Sequence, residues 1–211
     1  MKRWLRACLL TALAAFAVPR ASSEEPSAPP LVAWQELVEH PARYLGKTVT
    51  LRGQFQERVA GWNPYLTRFG TREFGAFQLW SDEQFPWIES EFRLPRMRLF
   101  ARRGQPAECL LGTAPVYVRL ELVATVRELF LDLPWVEVEH VSRLEQELSE
   151  GTNIHAARGI ELVEKQSFAL AAEEFEQALS GNLPAHARAE LERLRDEAKA
   201  EAQAARTKPR R

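Results

Sequence analysis

The sequence is poor in cysteine, in histidine and in net charge. Of 211 residues, two are Cys and four are His, and the formal net charge is -1. Cys8 lies in an N-terminal apolar run, so losing that run would leave Cys109 alone. One thiol makes no intrachain disulfide, and the fold must stand on its own core. Cys109 itself reads as a small buried residue, with pairing between chains as the other reading. His40, His140, His155 and His186 are scattered, and neither H-E-x-x-H nor C-x-x-C occurs, so no metal is expected. There is no G-x-S-x-G elbow and no phosphate loop, and Gly70 and Gly75 do not make a G-x-G-x-x-G. No catalytic residue and no cofactor is therefore assigned, and the expectation is a protein that is not an enzyme. A near-neutral balance gives no global attraction to nucleic acid or anionic lipid. No apolar run reaches the about 20 residues that span a bilayer.

The N-terminus carries the clearest signal. Lys2, Arg3 and Arg6 precede the uncharged stretch Ala7 to Val18, about 12 residues long. This predicts a signal peptide over 1–23, cleaved after Ala17 or after Ser23, and a periplasmic or extracellular protein. A short membrane anchor and an organelle transit peptide are the alternatives. Residues 24–30, at the end of a Ser-, Glu- and Pro-rich stretch, bury no apolar area and read as a disordered linker.

Residues 31–148 read as one β-rich domain. Leu31 to His40 has Leu31, Trp34, Leu37 and Val38 at helical spacing and predicts a short helix ended by Pro41. Gly46 supplies the turn. The period then drops to two. Val49, Leu51, Gly53 and Phe55 alternate with polar residues over Thr48 to Gln56, which predicts a half-buried strand. Four more strands are predicted over Phe74 to Trp80, Met97 to Arg102, Val116 to Phe130 and Pro134 to Val141. Five strands over about a hundred residues suit a small barrel. Glu137 and Glu139 share one strand face, an arrangement that serves solubility more often than acid-base chemistry.

The stretch His40 to Phe55, HPARYLGKTVTLRGQF, resembles the opening of OB-fold domains of bacterial exported and nucleic-acid-type OB proteins. Pro134 to Leu144 resembles the closing strand of such domains. The resemblance implies a five-stranded OB-like barrel whose first strand bends at Gly53. OB folds bind many kinds of ligand or none, so a ligand face is sought in aromatics interleaved with arginines, for which Trp62, Tyr65, Arg68, Trp80, Arg98, Arg102 and Arg119 are the candidates. The competing reading makes Trp62, Trp80 and Trp87 barrel plugs, and Arg98 and Arg102 a solvated face paired with glutamates such as Glu121.

Beyond Ser149 the period becomes helical. Helices are predicted over Asn153 to Gln166 with Asn153 as cap, over Ser167 to Leu179 ended at Gly181, and over Ala185 to about Ala205. Gly159, Leu162, Ala171, Phe175 and Ala178 stand at the spacings of a tetratricopeptide repeat, which residues 149–205 resemble in part. One repeat does not stand alone, so the hairpin is expected to pack on the barrel, on a partner or on a second copy. Residues 206–211 are basic and read as a disordered tail. The fold class expected is α+β: a five-stranded OB-like barrel, then a helical hairpin with a capping helix. The function expected is protein binding in the cell envelope, the partner being another protein rather than nucleic acid. An OB binder of oligosaccharide or single-stranded nucleic acid is the alternative.

Overall fold

The computed structural model describes residues 28–88, 90 and 96–207. The expected signal peptide, most of the linker and the last four residues of the tail lie outside them. Among the described residues no helix is long and apolar enough to cross a membrane.

Five strands close a barrel in the order β1-β2-β3-β5-β4. They are β1 (Thr48–Val59), β2 (Phe74–Ser81), β3 (Met97–Arg102), β4 (Arg119–Phe130) and β5 (Leu133–Arg143). Only β3 and β5 run parallel; the other pairs are antiparallel. Two short helices, α1 (Trp34–Glu39) and α2 (Pro41–Tyr44), precede the barrel, and α3 (Pro106–Thr113) joins β3 to β4. The strands exist because alternating apolar residues, such as Val49 and Leu51 or Met97 and Leu99, meet inside. Trp34 and Leu37 of α1 and Ala107 and Leu111 of α3 extend that core. The fold class expected from the sequence is the one observed.

Several boundaries differ. The first predicted helix is shorter, because Leu31 instead pairs in parallel with Thr50. Thr50 also donates to the carbonyls of Pro29 and Pro30, so the end of the linker is tied to the barrel. Strand β4 starts at Arg119, not Val116, since Tyr117 has φ 71° and leaves the extended region. The helix α3 escaped the sequence reading, and it carries Cys109 exposed, not buried. Gly53 lies where β1 passes from pairing with β4 to pairing with β2, itself paired with Leu120 on one side and Ser81 on the other, and the bulge of β1 follows between Phe55 and Glu57.

Three helices follow: α4 (Glu150–Glu164), α5 (Phe168–Ala178) and α6 (Ala185–Thr207). Ser149, not Asn153, caps α4, accepting from the Thr152 N–H at 3.0 Å. Gly181 does not adopt the left-handed region, and α5 ends at Ala178 with Leu179 as its C-cap. Arg206 and Thr207 continue α6 and so belong to helix, not tail. The residues singled out for hairpin packing come together. A Cβ on Gly159 would stand 2.5 Å from the Phe175 ring, so only glycine admits that ring between α4 and α5. Ala171, Phe175 and Ala178 are fully buried, with Leu162 packed against the same cluster.

The barrel and the helices are joined through the β2–β3 connection. Phe85, Trp87 and Ile88 leave the barrel and enter the helical core. Phe85 stacks on Trp87 at 5.0 Å and on His186 of α6 at 5.9 Å. Burial holds the His186 imidazole below its ordinary value; Asp82 and Glu83 pull it up and Arg119 pushes it down. The native state therefore prefers neutral His186. Its contribution is complete above the ordinary histidine value and is lost as pH falls through the lowered one. Thermal midpoints measured between about pH 7 and pH 5 should drop further for the wild type than for His186→Phe. Parallel curves for the two proteins would refute this.

Candidate functional site

The outer face of β2, β3 and β5 has its own apolar layer. Phe74 and Ala76 of β2, Phe100 of β3 and Trp135 of β5 lie under Phe69 from the β1–β2 loop. Phe69 stacks on Phe100 with ring centroids 4.0 Å apart and planes 5° apart. Trp62 meets Phe100 edge-on at 5.4 Å and donates its indole N–H to the Phe69 carbonyl at 2.6 Å. A planar ligand group would stack on exposed aromatics of this kind. Here the chain's own loop takes that place.

The seven predicted ligand residues do not converge. Neither Trp62 nor Trp80 plugs the barrel interior, because Trp62 packs on the outer aromatic layer and Trp80 stands on an outward position of β2. Trp80 is buried and stacks on Tyr117 at 5.4 Å. Arg119 makes a two-pronged pair with Asp82, Nε to Oδ1 at 3.0 Å and Nη2 to Oδ2 at 2.5 Å, with side chains only 10% and 14% exposed. Arg102 donates to Glu137 at 2.7 Å and lies over the Phe74 ring at 4.9 Å. Glu137, buried, also takes Arg127 at 2.7 Å, and Glu121 pairs with Arg52, not with Arg98 or Arg102. Trp87 belongs to the helical core. Glu137 and Glu139 are thus part of an ion-pair network on the outer wall.

Of the remaining three, Tyr65 and Arg68 lie on the β1–β2 loop and Arg98 lines a cleft beside the β4–β5 hairpin. The β1–β2 loop is fastened to the end of β4: the Thr67 hydroxyl donates to Glu128, the Arg68 N–H donates to Glu128 Oε2 at 3.1 Å, and the Arg68 guanidinium lies 3.5 Å from it. Tyr65 and Leu66, just before this tether, are 93% and 63% exposed. Three residues past Glu128, the β4–β5 hairpin turns through Leu131 and Asp132 at φ 50° and 61°. Both central residues are left-handed, the pattern that normally selects Asn or Gly. A leucine there is strained, and Leu131 is 81% exposed.

Beside the hairpin lies a cleft of about 400 Å³ lined by Gln78, Arg96, Arg98, Phe130, Leu131, Leu133, Pro134 and Trp135. Arg98 reaches it half-buried. In the amide orientation that satisfies both neighbours, Gln78 donates to Glu57 Oε1 at 3.0 Å and accepts from Arg98 Nη2 at 3.0 Å. Burial pushes the Arg98 guanidinium down from the usual arginine value, and Glu57 opposes that. Sequence periodicity does place Arg98 outward. It misses Leu131, Leu133 and Trp135 as wall residues, since their roles depend on the hairpin folding over β3.

These features define an OB-like barrel with a helical appendage, carrying exposed apolar groups on two loops and a cleft lined by two arginines, Arg96 and Arg98. No family model and no curated protein matches the chain. Among solved structures it is similar to a chain described as an aspartyl-tRNA synthetase from Leishmania major Friedlin, at 13% identity and a TM-score of 0.40. The match covers 76% of this chain but only 35% of that one, so this chain spans about a third of the synthetase's length.

Proposed function

We propose that this chain is a non-catalytic, exported protein of the cell envelope that binds another protein through the loop rim of its barrel. The observation that carries the reading is Leu131, a large apolar side chain both exposed and held in a strained turn, with Tyr65 and Leu66 exposed on the β1–β2 loop that is tied to β4 at Glu128. Large apolar groups held on a tethered loop and a tight hairpin turn are preorganised for contact, which lowers the ordering cost of association. The α4–α5 hairpin, read as a single tetratricopeptide-like repeat, adds a second scaffold surface, with Leu170 and Ile154 exposed on it. The alternative, an OB binder of oligosaccharide or single-stranded nucleic acid, rests on Arg98 and its cleft. It loses the stacking platform that Trp62 and Phe69 occupy, and the charges of Arg102 and Arg119, which are already paired.

The test is capture of a partner from an envelope extract by the full chain. The triple variant Tyr65→Ser, Leu66→Ser, Leu131→Ser should keep its circular dichroism spectrum and lose that partner. Retained capture by the triple variant would sink the reading. N-terminal sequencing of the exported fraction should begin after Ala17 or after Ser23.

A further inference from the structure

We propose that the cleft beside Leu131 receives a carboxylate side chain from an acidic, apolar segment of the protein partner, with Arg98 as its counter-ion. The proposal rests on the protein-binding reading above and names the partner's chemistry.

Arg102, Arg119 and Arg68 each face a carboxylate. Arg98 differs from them: among the described residues no carboxylate forms an ion pair with it. Glu57, whose charge acts on it, is kept at one remove by Gln78, which takes one Arg98 N–H and spends its own amide on Glu57. A half-buried guanidinium has lost part of its hydration, and a neutral amide oxygen replaces little of it. The remaining N–H donors form a fork that fits a carboxylate with two parallel hydrogen bonds. The walls select what carries the charge. Phe130, Leu131, Leu133 and Trp135 line the cleft with hydrocarbon, Arg96 adds a second positive charge to its lining, and Leu131 is itself largely exposed. A ligand that satisfies both needs an anion with apolar groups on either side of it. A protein segment with Glu or Asp between Leu or Phe residues has that pattern. A nucleic-acid strand brings phosphates as well, but its bases need open aromatic faces, and Phe69 covers Phe100 at stacking distance.

Two fluorescein-labelled peptides serve as probes. In the first, Glu alternates with Leu and Phe; in the second, every Glu is replaced by Gln. Anisotropy with the full chain should show saturable binding of the first, roughly tenfold to hundredfold tighter than the second. Arg98→Gln should cut that preference at least severalfold although Arg96 remains, and Arg98→Lys should restore part of it. Leu131→Glu changes an exposed residue, leaves Arg98 in place, and should repel the acidic peptide by setting a like charge at the cleft mouth. Equal binding of the two peptides, or a preference that survives both Arg98→Gln and Leu131→Glu, overturns the proposal. So does binding of single-stranded oligothymidylate that Arg98→Gln abolishes, since the anion would then be a phosphate. The outcomes separate from those of the broader reading. Loss of the captured partner in the triple rim variant, together with indifference to Arg98, sinks the carboxylate site alone. Retained capture by the triple variant sinks the rim and leaves the peptide result to judge the cleft.

Discussion

Gly53→Ala is expected to destabilise the barrel by about 3 kcal/mol or more, at the upper end of what overpacking costs. A Cβ at Gly53 would meet the Met97 Cε at 2.2 Å and the Trp80 carbonyl oxygen at 2.4 Å. The two contacts behave differently. Met97 is flexible and its terminal methyl can move within the core. The Trp80 carbonyl is backbone, and displacing it disturbs the Gly53–Ser81 and Gln54–Trp80 register at the point where β1 passes from β4 to β2. Denaturant unfolding followed by circular dichroism should show a lower midpoint with an unchanged slope. Adding Met97→Ala should recover only part of the loss. Full recovery would mean that the methyl clash, and not the close approach of two strands, demands glycine there.

The second large effect is at Asp82. Asp82→Ala leaves the Arg119 guanidinium nearly buried without its counter-ion, and removing one member of such a pair costs about 3–5 kcal/mol. The pair also holds a junction. Asp82 is the first residue after β2, and the Phe85 and Trp87 side chains that enter the helical core follow within five residues. The variant should therefore lose barrel stability and loosen the helices together, seen as a lower unfolding midpoint and as faster proteolysis near Trp87. Asp82→Leu with Arg119→Met should recover most of the stability, because an apolar pair of similar volume avoids the desolvation cost. A double-mutant cycle gives the coupling. Additive single effects would show that the ion pair has no part in the junction.

Both effects lie at positions that differ in how far they can be read from the chain. Gly53 is legible as the glycine inside a period-two pattern. Asp82 and Arg119 are 37 residues apart, and no local pattern joins them. The same division holds at the candidate site. Arg98, Trp62 and Tyr65 stand out in the sequence as a charge and aromatics near strand ends. That Trp62 and Phe69 would fold back and cover Phe100 depends on the course of one irregular loop. That the loop carrying Tyr65 and Leu66 would be fastened to the end of β4 depends on the tether at Glu128.

By itself the amino-acid order determined the switch from two-residue to helical periodicity, and with it a strand-built domain followed by helices. Periodicity does this because each element's inward residues must share one side of the backbone. It does not say what lies against that side, nor whether the outward side is also covered. A one-residue bulge between Phe55 and Glu57 moves every later side chain of β1 to the opposite wall, and nothing nearby announces it. Closure of the barrel decided which arginines met carboxylates, sent Trp87 into the helical core, and left Arg98 facing a cleft. Those outcomes depend on contacts between residues far apart in the chain, and only the folded molecule brings them together.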